Sequence, residues 1–299
     1  MSSQPLFEEK WWTNDTVAIV TGASRGIGKE IARMLANQGL TTVLTATNES
    51  KASQAAEEIK SNIKTRNPNV FSHQLDLSDK TSIDTFITWA ESTFSQGITI
   101  LINNAGFAYK GNTWGPSEAD RTIQINYRGT ADLTEGLLPL FFKGRTSSNT
   151  EGGGGHIVYV SSTAGRLSIF SFNDEYKSKL QTASSRDDID SVADGFVEAV
   201  KNDTWRRQGL PESMYGVSKA CMTAHSKLMA KEIERRSGEG ERITVTSCHP
   251  GYCATDMSSF RGPRPAAEGA DVAVWLALRV PNEKAKSGGF YIDREEVEW

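Results

Sequence analysis

Apolar positions along the chain switch repeatedly between two periods. Short apolar runs of strand length alternate with segments in which apolar residues return every three or four positions. The first run is Thr16 to Thr21, and Ile27, Ile31, Met34 and Leu35 follow it as the stripe of a helix. Further strands are expected at about Thr42 to Ala46, Val70 to Leu75, Ile98 to Ile102, His156 to Ser161, Ile243 to Cys248 and Gly289 to Ile292. Repeated strand–helix units imply a parallel sheet with helices on both faces, so the fold class predicted is α/β with a doubly wound parallel sheet.

Two stretches interrupt this rhythm. Gly152 to Gly155, preceded by polar Arg145 to Glu151, reads as a flexible surface loop. The second stretch, Arg166 to Ser213, separates a strand from a helix and carries a pattern of its own. Ile189, Val192, Ala193, Phe196, Val197 and Val200 share one helical face, and Asp187 and Asp188 sit at its positive end. An ordered helical insertion is expected here.

The 299 residues allow one or two domains, and 37% hydrophobic with 23% charged residues exclude a disordered or coiled-coil chain. Lys and Arg number 33 against 37 Asp and Glu, a net charge of −4 that gives no general attraction for nucleic acid or anionic lipid. The opening MSSQPLFEEKWW lacks an apolar run after a basic patch, and no stretch approaches the ~20 apolar residues of a membrane span. A cytosolic chain with no nucleic-acid or membrane partner is therefore expected. Cys221, Cys248 and Cys253 read as reduced structural thiols. Cys248, His249 and Cys253 cluster, but their spacing matches no usual zinc site, so no metal is expected.

Thr21 to Gly28, TGASRGIG, joins the first strand to the first helix, where free N–H groups and the helix dipole favour a phosphate. Gly22, Gly26 and Gly28 let the backbone turn tightly and approach a pyrophosphate, though their G-x-x-x-G-x-G spacing departs from the general dinucleotide fingerprint. The second strand ends in Thr45, Ala46, Thr47 and Asn48, with no acid for a ribose 2′-OH before Glu49. Arg25 can pair instead with a 2′-phosphate, which favours NADPH over NADH.

YGVSK places Tyr215 and Lys219 one helical turn apart on one face. A neighbouring cation should lower the tyrosine pKa from about 10 toward the working pH, making Tyr215 a general acid toward a carbonyl oxygen. HIVYVSSTAG delivers Ser162 to the carboxyl edge of the sheet, where open α/β proteins bind ligands and where a hydroxyl can steady a developing oxyanion. INNAG, Ile102 to Gly106, ends the fourth strand on that edge, and Asn126 lies in the helix that follows.

Together these residues resemble the short-chain dehydrogenase/reductase family, from about Thr16 to Ile292. That resemblance implies a Rossmann-like sheet. It also implies NADP(H) binding by Gly22, Ser24, Arg25, Gly26, Ile27 and Gly28 of the glycine motif and by Asp76 and Leu77 of LDLSD. Asn103, Ala105 and Gly106 of NNAG, and Pro250, Gly251 and Thr255 of HPGYCATDM, complete the implied cofactor site with Tyr215 and Lys219. Asn126, Ser162, Tyr215 and Lys219 resemble the catalytic four, with Lys219 on the nicotinamide ribose and Asn126 supporting a proton-relaying water. Thr255 is placed near the carboxamide and Tyr252 facing substrate.

The long stretch between Ser162 and Tyr215 resembles the monomeric NADPH-dependent carbonyl reductase group, which includes the plant menthone/neomenthol and salutaridine reductases. It implies a single reductase domain over 1–299, with the insertion at about 166–213. It also implies a small-molecule ketone or aldehyde as substrate, and a monomer whose insertion covers an apolar helix surface and partly walls the pocket. Relatives often carry Arg where Thr47 stands, which leaves the 2′-phosphate to Arg25. Phe107, Tyr109, Trp114, Tyr252, Phe170 and Trp205 are candidates for an apolar pocket, though such residues are more often core. Reduction of a conjugated C=C bond and a non-catalytic NADP(H) sensor are the alternatives on this fold. A serine hydrolase is excluded by the absence of a G-x-S-x-G elbow and of any triad order.

Overall fold

In the computed structural model, which describes residues 10–63, 69–143, 154–166, 172–236, 242–279 and 286–299, the strands form one sheet. They are β1 (Val17–Val20), β2 (Thr41–Ala46), β3 (Val70–Gln74), β4 (Ile100–Asn103), β5 (Gly154–Val160), β6 (Arg242–His249), β7 (Phe290–Ile292) and β8 (Glu295–Val297). Their order is β3-β2-β1-β4-β5-β6-β7-β8, the doubly wound Rossmann order with two further strands at one edge. All pairs are parallel except β7 with β8.

The apolar runs form strands because both faces of the sheet are covered. Ala18 and Val20 of β1 enter one core with Ile31 and Leu35, while Val17 and Ile19 enter the other with Ile83 and Phe86. β4 and β5 alternate in the same way, with Leu101, Ile157 and Tyr159 on the second face. The first face is packed by α1 (Gly26–Asn37), α2 (Glu49–Asn62) and α9 (Ala266–Leu278). The second is packed by α3 (Lys80–Thr93), α5 (Gly129–Lys143) and α8 (Met214–Arg236). Ahead of α5 run α4 (Pro116–Ile123) and a five-residue π-helical segment, Gln124–Arg128.

The insertion forms two helices, α6 (Asp174–Thr182) and α7 (Arg186–Lys201), where one was expected. Ser185 caps α7 in a reciprocal box with Asp188, which satisfies two end donors at once. Ile189, Val192, Ala193 and Phe196 are buried against α4, α5 and α8 in a third core that also takes in Phe290 and Trp299. Around its rim Arg186 pairs with Asp132 at 2.7 Å, Glu135 at 3.0 Å and Asp190 at 3.5 Å, and Arg128 bonds Asp120 and Asp194.

Two expectations need correction. Gly154 and Gly155 are buried residues of β5, because the backbone there pairs with Arg242 and Ile243 and Gly155 lies against Phe141. The remainder of that predicted loop, 145–153, lies outside the described residues. β8 was not anticipated. Its EEV has no apolar signature, and it exists because the chain doubles back onto β7 at Asp293 and Arg294, both at positive φ.

Candidate active site

The sheet order reverses between β1 and β4, so the turns that leave these strands diverge and open a crevice at their carboxyl ends. The two turns are laced together. Thr21 Oγ1 accepts from the amides of Asn104 at 3.0 Å and Ala105 at 2.9 Å, and Asn104 Nδ2 donates to the Thr21 carbonyl at 2.8 Å. Only glycine permits this approach. Gly22 stands at φ 62°, where a Cβ would lie 2.8 Å from Ala105 Cα, and a Cβ on Gly28 would overlap the Asn104 amide.

The cleft so formed has a volume of about 1030 Å³, at the upper end of the ~300–1,000 Å³ of small-molecule sites. Gly22, Ser24, Arg25, Gly26, Ile27 and Gly28 line one end. The N-cap of α1 is Arg25, whose side chain makes no capping bond, so no side chain competes with an anion for the first-turn N–H groups. Asp76 and Leu77 line the flank below β3, with Asp76 accepting from Ser78 N at 2.8 Å and Ser78 Oγ at 2.6 Å. Ala105, Gly106, Pro250, Gly251 and Thr255 line the cleft as expected, as do Ser162, Tyr215 and Lys219.

Asn103 does not line it. As the last residue of β4 it follows the strand's alternation into the helix layer, where Nδ2 donates to Thr134 Oγ1 at 2.9 Å. The cleft is lined instead by Asn104, one residue beyond the strand.

Asn126 also stands behind the wall. Its Oδ1 accepts from Phe107 N at 2.7 Å, and its Nδ2 donates to Phe107 O at 2.8 Å and Ser218 Oγ at 2.9 Å. Ser218 in turn donates to the Tyr215 carbonyl at 2.8 Å, so Asn126 ties the β4 loop to the first turn of α8. It sits at the centre of the π-helical segment, a local widening that recurs at functional sites.

Tyr215 is half-buried and Ser162 stands beside its hydroxyl. Burial raises its pKa, with the neighbouring Ser162 hydroxyl as the only offset. The expected downward pull from Lys219 is not present. Lys219 Nζ is 5.8 Å from the Tyr215 ring centre and donates to the Val160 carbonyl at 2.9 Å, while its own pKa is lowered to about 8 by burial. A raised tyrosine keeps its proton at neutral pH, which suits a group that must donate it.

Arg25 is exposed and meets Asp256 at 3.4 Å across the cleft. One cation near it, Lys51, carried no expectation from sequence. Thr47 and Lys51 both line this end of the cleft, Lys51 from the first turn of α2, where Asn48 accepts its backbone N–H at 3.0 Å. A cation following the second strand, in place of an acid, was the available signal.

Phe107 and Tyr252 of the aromatic candidates line the cleft, and Tyr252 is exposed. Trp205 is core, stacked at 5.0 Å on Trp114. Tyr109 joins the two groups, packing on Phe107 at 4.7 Å and against the insertion core. None of residues 172–213 lines the cleft, and the candidate Phe170 lies outside the described residues. All three cysteines are buried free thiols. Burial pushes Cys221 and Cys248 up to about 12, which keeps them protonated and inert. No cluster of metal-ligating side chains occurs among the described residues.

The sequence profile of the short chain dehydrogenases matches residues 16–178, which span β1 to the insertion. The chain belongs to this family. Carbonyl reductase [NADPH] 1 of Bos taurus is 30% identical over 291 residues, covering 96% of this chain and 99% of its own. Carbonyl reductase [NADPH] 3 of Mus musculus is 30% identical over 95% and 98% of the two chains. Among solved structures, salutaridine reductase from Papaver somniferum superposes with a TM-score of 0.75 at 26% identity, covering 92% of this chain and 99% of its own. Menthone neomenthol reductase from Mentha piperita gives 0.74 at 25% identity, covering 92% and 97%.

Proposed function

We propose that this short-chain dehydrogenase reduces a ketone or aldehyde to the alcohol with NADPH, using Tyr215 as the general acid. The observation that carries the proposal is the placement of a protonated tyrosine, with Ser162, on the same cleft as an uncapped helix N-terminus suited to a pyrophosphate. When bound, the reduced nicotinamide supplies a hydride to the carbonyl carbon. Tyr215 supplies the proton to the oxygen, and Ser162 holds that oxygen in line. Lys219 stands one helical turn away as the buried cation that takes the ribose hydroxyls. Asn126 acts through Phe107 and Ser218, fixing the loop and the helix that carry these groups.

Gly22, Ser24, Gly26, Ile27 and Gly28 would hold the pyrophosphate, and Asp76 and Leu77 the adenine. Ala105, Gly106, Pro250, Gly251 and Thr255 would hold the nicotinamide half, with Asn104 in the place first given to Asn103. Arg25 and Lys51 together fit a 2′-phosphate. The exposed Arg25–Asp256 pair is worth at most about 1 kcal/mol, less than the roughly 1.5–3 kcal/mol of a charge-assisted phosphate bond, so the ligand wins Arg25.

We further propose a cytosolic monomer, a single reductase domain over residues 1–299. No described helix is long and apolar enough to cross a membrane. α7 covers the outer faces of α4 and α8, and β8 caps the sheet edge at β7.

The experiment is a screen of the purified protein with NADPH against cyclic ketones, aldehydes, quinones and enones. Alcohol products from the carbonyls are expected. Saturated ketones from the enones alone would assign the C=C reaction instead, and NADPH binding without turnover would make the protein a sensor. Light scattering should return the 32.7 kDa chain mass, and twice that mass would refute the monomer.

A further inference from the structure

The charges around the cleft do not balance at its catalytic end. Of the two acids that line it, Asp256 is paired with Arg25, and Asp76 is held by Ser78. Arg25 and Lys51 face the glycine turn, where phosphates belong. Lys110 and Arg121 remain. Both line the cleft and are exposed, and neither has a carboxylate within ion-pair distance among the described residues.

Their place is set by Phe107. That residue follows Gly106, where an added Cβ would stand 3.4 Å from Lys219 Nζ, and Phe107 lines the same cleft as Lys219 and Tyr215, so it borders the catalytic centre. The Arg121 guanidinium lies over the Phe107 ring at 5.6 Å from its centre. A cation held on an aromatic face is oriented without spending any of its five N–H donors. The fork is left free for a planar anion, which it matches with two parallel bonds. Lys110 adds a second positive charge three residues after Phe107 on the same loop.

We infer that Arg121, with Lys110, is the specificity site for a carboxylate on the carbonyl substrate. This rests on the carbonyl-reductase reading and narrows it to keto or formyl acids. The protein's net charge of −4 makes the local surplus selective, since it is not part of a generally basic surface.

The test compares 4-formylbenzoate with its methyl ester, which share the aldehyde and the ring. With saturating NADPH, kcat/KM should favour the carboxylate by about ten- to a hundred-fold, the worth of a charge-assisted bidentate contact. Arg121→Gln should lower that ratio about tenfold, Arg121→Lys should keep part of it, and Lys110→Gln should lower it less. Fluorescence titration of the NADPH complex with benzoate and benzamide gives a second reading, in which benzoate binds more tightly and loses the advantage in Arg121→Gln. An equal ratio in the unaltered protein, or a ratio unmoved in Arg121→Gln, overturns the inference. A tenfold loss of NADPH affinity in Arg121→Gln also overturns it by giving the residue to the cofactor. If neither aldehyde is reduced, the carbonyl-reductase reading fails by itself. Benzoate binding that depends on Arg121 would then keep the anion site, and its absence would remove it.

Discussion

The cleft is lined largely by loops at the carboxyl ends of β1 to β6, and its geometry is written in backbone. Thr21, Gly22, Gly28 and Asn104 hold two turns within hydrogen-bond distance, and no large side chain is buried to do it. The insertion is held in the opposite way. α7 docks through buried Phe196, Ile189 and Val192 and through the carboxylates around Arg186, with no backbone pairing to the sheet. A site built on backbone is damaged by adding atoms at its glycines, whereas a docked helix is damaged by removing atoms from its face.

That contrast can be broken by measurement. The largest effect is expected from Tyr215→Phe, which removes one hydroxyl aimed at substrate. Turnover should fall by ~10²–10⁴, the worth of a positioned general acid, while NADPH affinity measured by fluorescence holds. Near-normal reduction by this variant would mean that another group donates the proton.

In the insertion, Phe196→Ala should cost about 3–5 kcal/mol of stability, since the ring is fully buried and leaves a cavity. Urea unfolding would read this as a lowered midpoint. NADPH affinity of the folded fraction should be unchanged, and a parallel loss of cofactor binding would show that the two regions are coupled.

Arg25→Ala and Lys51→Ala together should weaken NADPH by about ten- to a hundred-fold and NADH much less. Titration with both dinucleotides checks this. Equal affinities in the unaltered protein would end the assignment of this corner to a 2′-phosphate.

The smallest effect concerns pH. Burial lowers Lys219 to about 8, so the ammonium is present below that value and lost as pH rises through it. Tyr215, raised by burial, keeps its proton over the same range. The kcat/KM for carbonyl reduction should therefore decline above about pH 8 and be level below it. A level profile through pH 9.5 would remove the Lys219 charge from the mechanism.

The strands were legible because a buried strand in a parallel sheet must be apolar on both faces, and boundaries read from that rule lie within about two residues of those observed. α7 was equally legible from its stripe and its first-turn acids. What escaped was decided by pairing or by direction. β8 is polar and exists only against β7. Asn103 and Asn104 are the same residue type, and the end of β4 alone determines which of them turns into the cleft. Lys51 reaches the cleft because α2 starts beside Thr47, a placement its position in the sequence does not specify.

From sequence come the order of the elements, the glycine turn, the Tyr215–Lys219 spacing and the thiols' idle role, because each follows from local geometry or from period. The tertiary structure decided the electrostatics. Tyr215 is raised because partial burial penalises its charged form, and Lys219 is turned to the Val160 carbonyl, neither of which a four-residue spacing contains. Likewise Arg121 stands over Phe107 because α4 packs beside the β4 loop, a meeting of residues 14 apart that no periodicity specifies. Charge and solvent act through space, and the chain's order in space is what folding adds.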